Sequence, residues 1–206
     1  MAEEETAARR VYAEIKQRIL QGALPVRERL DLERLAAELG VSLLPVRQAL
    51  AQLGWEQLVR PSTSQGYRVF FWSVAELAAL YEWRGLLALA AYETALPDPE
   101  IARACRLQPY PQALWSLGRA LEQGANPEIQ LAARAADERL YIARPAEEDV
   151  LGDAGGELEG LAQALALRSK RAKPLLRAFH RRRSNSAERI RARVALLALP
   201  SNGGKA

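Results

Sequence analysis

One histidine, His180, and one cysteine, Cys105, bound the chemistry open to this chain. A lone cysteine excludes an intrachain disulfide and every multi-cysteine zinc site, and a lone histidine excludes a His-rich metal centre. Neither a glycine-rich phosphate loop nor a Gly-x-Ser-x-Gly nucleophile elbow occurs. The acidic run Glu147, Glu148 and Asp149 reads as the start of a helix, where carboxylates complement the helix dipole, rather than as a catalytic pair. What remains is suited to binding. Arg47 and Gln48 are adjacent; an arginine fork matches guanine or phosphate and a glutamine amide matches adenine. The inventory argues against an enzyme and for recognition of a polyanion.

For Arg47 and Gln48 to read a duplex they must share one face of a rigidly held helix. The neighbouring sequence supplies one. Asp31 is a predicted N-cap, followed by Leu32, Leu35, Ala36 and Leu39 at helical spacing, and Gly40 ends that helix. Ser42 caps the next, with Pro45 in its first turn and Val46, Ala49, Leu50 and Leu53 as its inward stripe. The opposite face then carries Leu43, Leu44, Arg47, Gln48 and Ala51. An earlier helix over 5–22 presents Val11, Ile15, Ile19 and Leu20, and residues 23–30 form an extended connection. Strand-like runs at Leu58–Arg60 and Tyr67–Phe71 flank a turn-forming stretch over 61–66, which predicts a hairpin. Three helices and a hairpin in this order describe a winged helix-turn-helix, whose third helix, about 10–12 Å across, fits the major groove. The expected DNA-contacting set is Ser42, Leu43, Leu44, Arg47 and Gln48 on the third helix, with Arg60, Gln65 and Gly66 on the hairpin. Ser42 and the free N–H groups beside it would receive a phosphate.

From Ser73 onward the pattern is helical. Segments are predicted at about 73–96, 98–106, 111–123, 127–143, 155–168, 173–182 and 185–198, with Pro145 among the breakers between them. The expected fold is mainly α: a winged helix-turn-helix domain over 1–72, then an all-α antiparallel helical bundle over 73–206. The chain has 206 residues, 49% hydrophobic, with a net charge of +4. Between Arg168 and Arg193 stand eleven Lys or Arg and one acid, Glu188, which favours anionic partners or marks a solvated helix face. Trp55, Trp72, Trp83 and Trp115 are expected in cores or interfaces. No apolar run approaches the ~20 residues of a membrane span. The opening Met-Ala-Glu-Glu-Glu is acidic, unlike a signal peptide, so a cytoplasmic location is expected.

Residues 11–71 resemble the DNA-binding domain of the GntR family. The resemblance rests on Ile19 to Pro25, Arg29-Leu30, Leu35 to Ser42 and Pro45 to Leu50, continued by Leu53, Leu58-Val59, Gly66 and Val69. The segment Ser73 to Arg84 is similar to the start of the helical effector domain of the FadR subfamily. This implies a homodimer on a double-stranded DNA operator, acting most often as a repressor, with a small metabolite bound in the helical domain. Two departures stand out. The family commonly carries Arg and then Thr where Leu43 and Leu44 stand. One leucine is then buried, or the pair meets thymine methyl groups, or DNA binding is weakened. Many FadR-like domains also hold a divalent metal through an Asp, a His one turn later and two further His. Here Asp137 and His180 match, Tyr141 replaces the first His, and none stands near Asn202, so no metal and no other cofactor is expected. An anionic effector is expected near Arg84, Asp137, Tyr141, Arg177 and His180. The alternative class is a winged-helix module that binds a protein and has lost specific DNA or effector binding.

Overall fold

Val11, Ile15 and Ile19 recur every four residues and are at most 1% exposed. They form the inner face of α1 (Ala2–Leu20), which packs on α3 (Leu43–Trp55). The computed structural model describes residues 2–24, 26–27, 29–62, 66–94, 102–103 and 108–198. They divide into two units, one holding the residues up to Phe71 together with Ala198 and the other spanning Trp72–Leu197.

In the first unit, α2 (Leu32–Leu39) begins where Asp31 accepts a hydrogen bond from the Arg34 N–H at 3.0 Å. It ends at Gly40, whose φ of 64° lets the Val41 N–H return to the Ala36 carbonyl. Three residues therefore separate α2 from α3, and their geometry is fixed at both ends. Pro45, Val46, Ala49, Leu50 and Leu53 of α3 are buried, as the apolar stripe predicts. Ser42 stands at the N-cap position of α3, but its side chain makes no capping bond, contrary to the expected cap. The wing is β2 (Val59–Pro61) and β3 (Tyr67–Val69), antiparallel, with Val59 opposite Val69. A further strand, β1 (Arg29–Leu30), pairs with the other edge of β3, so the sheet order is β1-β3-β2. The connection over 23–30 is thus partly sheet: β3 supplies the partners that two residues lack alone.

The described elements of the second unit are all helices: α4 (Val74–Thr94), α5 (Tyr110–Glu122), α6 (Pro127–Leu140), α7 (Arg144–Leu151), α8 (Ala154–Ala166), α9 (Ala172–Asn185) and α10 (Ala187–Leu197), with a single 3-10 turn at Tyr141–Ala143 between α6 and α7. The helix predicted at 98–106 lies almost wholly outside the described residues. Ser73 and Glu76 open α4 with reciprocal bonds, the Ser73 N–H to the Glu76 carboxylate and the Glu76 N–H to the Ser73 hydroxyl. Four neighbours, α9, α6, α10 and α5, pack around α4. Gly85 permits the close approach of α9, since a Cβ there would lie 2.9 Å from Cβ of His180. Pro145 does not break the chain but sits in the first turn of α7, where its missing N–H costs nothing.

At the C-terminus of α3, Gln57 has a φ of 58°, and the Leu58 N–H closes onto the Leu53 carbonyl. A side chain in this left-handed conformation costs about 1 kcal/mol that glycine avoids. Gln57→Gly is expected to stabilise the first unit by about 0.5–1 kcal/mol. Denaturant unfolding checks this, and a lower midpoint for the variant would contradict it.

Candidate nucleic-acid interface and charged core

The outward face of α3 carries Ser42, Leu44, Arg47 and Gln48, all exposed, with Leu44 at 52%. Leu43 is half-buried and lines an open groove of about 1010 Å³ together with Arg47, Arg29, Arg34, Tyr67 and Gly66. The two leucines therefore differ: Leu43 is the wall of the groove and Leu44 stands in front of it. Gly66, at the wing tip, faces the Arg29 guanidinium, because a Cβ built there would lie 3.5 Å from Arg29 Nε. Arg60, on β2, stacks over Phe70 with 4.4 Å to the ring centroid. Gln65 lies outside the described residues. Sequence reasoning missed Arg29, Arg34 and Arg68. Arg29 and Arg68 are opposite each other across β1 and β3, and Arg68 donates to the Arg27 carbonyl. Their signal was available as arginines flanking the helix and wing, but only the sheet pairing sets Arg29 beside Arg68, while α2 carries Arg34 to the groove.

Within the helical unit, Arg84, Asp137 and His180 line one small cavity of about 20 Å³, the size of a single water molecule. Tyr141 and Arg177 do not line it. Tyr141 is half-buried with its ring edge-on to Trp115, 6.2 Å between centroids, and Arg177 is exposed on α9. Arg84 grips Asp137 with two bonds, Nε to Oδ1 at 2.8 Å and Nη2 to Oδ2 at 3.0 Å, and reaches Glu122 on α5 at 2.7 Å. Arg144 lies 3.3 Å from Asp137 Oδ1 and bonds Glu147 Oε1 at 2.8 Å, and Arg119 approaches the other Asp137 oxygen at 3.4 Å. Glu147 is completely buried and also receives the hydroxyls of Tyr81 and Tyr110 and the Nε of Arg183. Sequence reasoning missed Glu122, Arg144, Glu147 and Arg183 because each resembles a charge on a solvated helix face.

Burial pushes the Asp137 carboxyl upward, but Arg84, Arg144 and Arg119 outweigh it and hold the group below its ordinary value. Glu147 behaves alike: burial raises it, Arg144 and Arg183 lower it, and the net direction is down. Glu122 goes the other way. Burial exceeds the pull of Arg84 and Arg119, the nearby Asp137 adds repulsion, and its pKa is pushed up to about 7. His180 is driven well down by burial and then by Arg84, Arg144 and Arg183, so its ring is neutral near pH 7. Arg84 Nη1 and His180 Nδ1 are buried without a hydrogen-bond partner among the described residues.

The divalent metal implied by the resemblance does not fit this site. Both Asp137 oxygens are taken by guanidinium groups, and Tyr141 is turned onto Trp115. Among the described residues no three His, Cys, Asp or Glu side chains gather as a ligand set.

Residues 7–69 match the family described as bacterial regulatory proteins, gntR family. With the geometry above, this makes the first unit a winged helix-turn-helix domain of the gntR type. None of the curated proteins matches the chain. Among solved structures it is similar to a transcriptional regulator GntR from Rhodococcus sp. RHA1, with a TM-score of 0.73 at 19% identity, covering 89% of this chain and 98% of that one. It is also similar to McbR/YncC of E. coli, with a TM-score of 0.61 at 20% identity, covering 88% and 97%. The structural match at this identity shows the shared fold alone: a winged head followed by a helical domain. No helix among the described residues is long and apolar enough to cross a membrane.

Two outcomes follow from the charged core. A carboxyl whose pKa is raised in the folded state favours folding below its unfolded value and loses that contribution as pH rises through its folded value. Relative to Glu122→Gln, the stability of the wild-type protein should therefore fall as pH rises from about 4.5 to 7 and level off above; a flat difference would contradict the shift. Secondly, Zn²⁺, Mn²⁺ and EDTA should each leave the thermal midpoint of untagged protein unchanged. A metal-dependent rise would contradict the clamped Asp137.

Proposed function

We propose that this protein is a sequence-specific, DNA-binding transcription regulator that works as a homodimeric repressor. The observation that carries this reading is the exposed face of α3, where Ser42, Leu44, Arg47 and Gln48 stand beside a groove lined by Arg29, Arg34 and Arg47, in a domain of the gntR type. Arg47 is the reader of a base edge, and Ser42 and the wing arginines Arg60 and Arg68 hold phosphates. Two copies would engage two half-sites of a pseudo-palindromic operator. Trp83 and Leu86 on α4 and Leu131 on the adjoining α6 expose apolar surface that suits pairing of two copies.

The helical unit is the place for an anionic effector, because Arg84 and His180 line one small cavity and each holds a buried nitrogen, Nη1 and Nδ1, without a partner among the described residues. That space admits about one water, so a metabolite can act only by binding an opened core better than the closed one. A second reading, a winged-helix module that binds protein, draws on the apolar exposure of Leu44 and of Trp55, which is 89% exposed at the end of α3.

Selection from a randomised duplex pool separates the two readings, since a regulator enriches one motif and a protein-binding module enriches none. On the enriched duplex, Arg47→Ala should weaken binding by about 5–150-fold, the range for losing one bidentate base contact. Unchanged affinity in an anisotropy titration would remove Arg47 from the interface.

A further inference from the structure

We infer that Leu44 reads the 5-methyl group of a thymine, so that the operator carries a thymine one or two base pairs from the base met by Arg47. The inference rests on the DNA-binding reading above and extends it to a base type. Leu44 lies in the first turn of α3, is 52% exposed, and shares its face with Arg47 and Gln48 at i+3 and i+4. Neither Pro45 nor Val46 competes for that face, since both are buried. An exposed leucine flanked by an arginine and a glutamine is an apolar spot in a polar strip. In a major groove, adenine, guanine and cytosine present donors and acceptors at the edge such a residue would cover. Only thymine also presents a methyl group there. Leucine against a cytosine amino group would strip its water and return no hydrogen bond. The apolar contact therefore selects as much by penalising the other bases as by favouring thymine.

Helix geometry sets the spacing. Three to four residues along α3 advance by about 4.5–6 Å, against about 3.4 Å per base pair. Leu44 and Arg47 thus address pairs one or two steps apart, and the bidentate preference of arginine makes the second base a guanine. Leu43 does not share this role, because it is half-buried in the groove wall.

The test uses the full chain and the duplex enriched from a randomised pool. Each thymine is replaced in turn by uracil, which removes only the methyl group. One thymine within two pairs of a guanine should lose about fourfold in affinity on replacement, the effect of exposing one buried methyl. With Leu44→Ala the same replacement should have no effect. With Arg47→Ala, affinity falls but the thymine-to-uracil ratio persists. Matching thermal midpoints show that the variants fold. Uracil probes that all bind the wild-type protein like thymine overturn the inference, as does a loss that persists in Leu44→Ala. A pool in which no sequence is enriched overturns the DNA-binding reading itself.

Discussion

Pairing of guanidinium with carboxylate inside the helical unit is the constraint on which its packing depends. Arg84 on α4 holds Glu122 on α5 and Asp137 on α6. Arg144 joins Asp137 to Glu147 on α7, and Arg183 on α9 joins Glu147 to Glu157 on α8. Six helices thus share one chain of charges. A buried ion left bare in such an interior would cost several kcal/mol in lost hydration, and here each buried charge is answered by at least one opposite charge from another position in the network. The small residues follow from this. At Gly118 a Cβ would lie 2.8 Å from Arg84 Nη2 and 3.2 Å from Asp137 Oδ2, so the position has no room for a side chain while the pair is formed.

The winged unit is organised on the opposite principle. Its interior is aliphatic, with Ile15, Ile19, Val46, Leu50 and Leu53 completely buried, and its polar chemistry is turned outward on α3 and along the wing. None of its described charged side chains is buried, which leaves the outer face free to be retuned. The paired leucines show the result. One has been drawn into the groove wall and the other presents a bare hydrocarbon to whatever α3 meets.

Much of the head was legible in the sequence because its signals are local. Asp31, Gly40 and the spacing of Val46, Ala49, Leu50 and Leu53 mark α2 and α3 within a dozen residues of one another. Strand β1 was not legible, since two residues have no periodicity and their partner, β3, is 37 or more positions away. In the helical unit most helices could be read from apolar spacing, but α7 was signalled only by its acidic run Glu147 to Asp149, because Pro145 at a helix start looks the same in sequence as a break. Of the candidate ligand-site residues, the sequence pointed to Arg84, Asp137 and His180, which the fold gathers, and to Tyr141 and Arg177, which it does not. The network itself was illegible, because Arg84 and Asp137 are 53 positions apart and neither announces a partner. The basic tract over 168–193 is instructive in the same way. Arg168 lies over Tyr92, Lys173 pairs with Glu93, Arg182 with Glu157 and Arg193 with Asp149, so much of that charge is answered within the chain.

The arginines around Asp137 carry a consequence beyond packing. A metal ion must be captured from solution, and its occupancy follows the free concentration outside. A guanidinium is tethered to the backbone, so its local concentration is set by geometry and does not fall on dilution. The positive charge that completes this core is therefore inherited with the chain and complete when synthesis ends. No chelator withdraws it and no starvation for a trace element empties it. Only a mutation can change it.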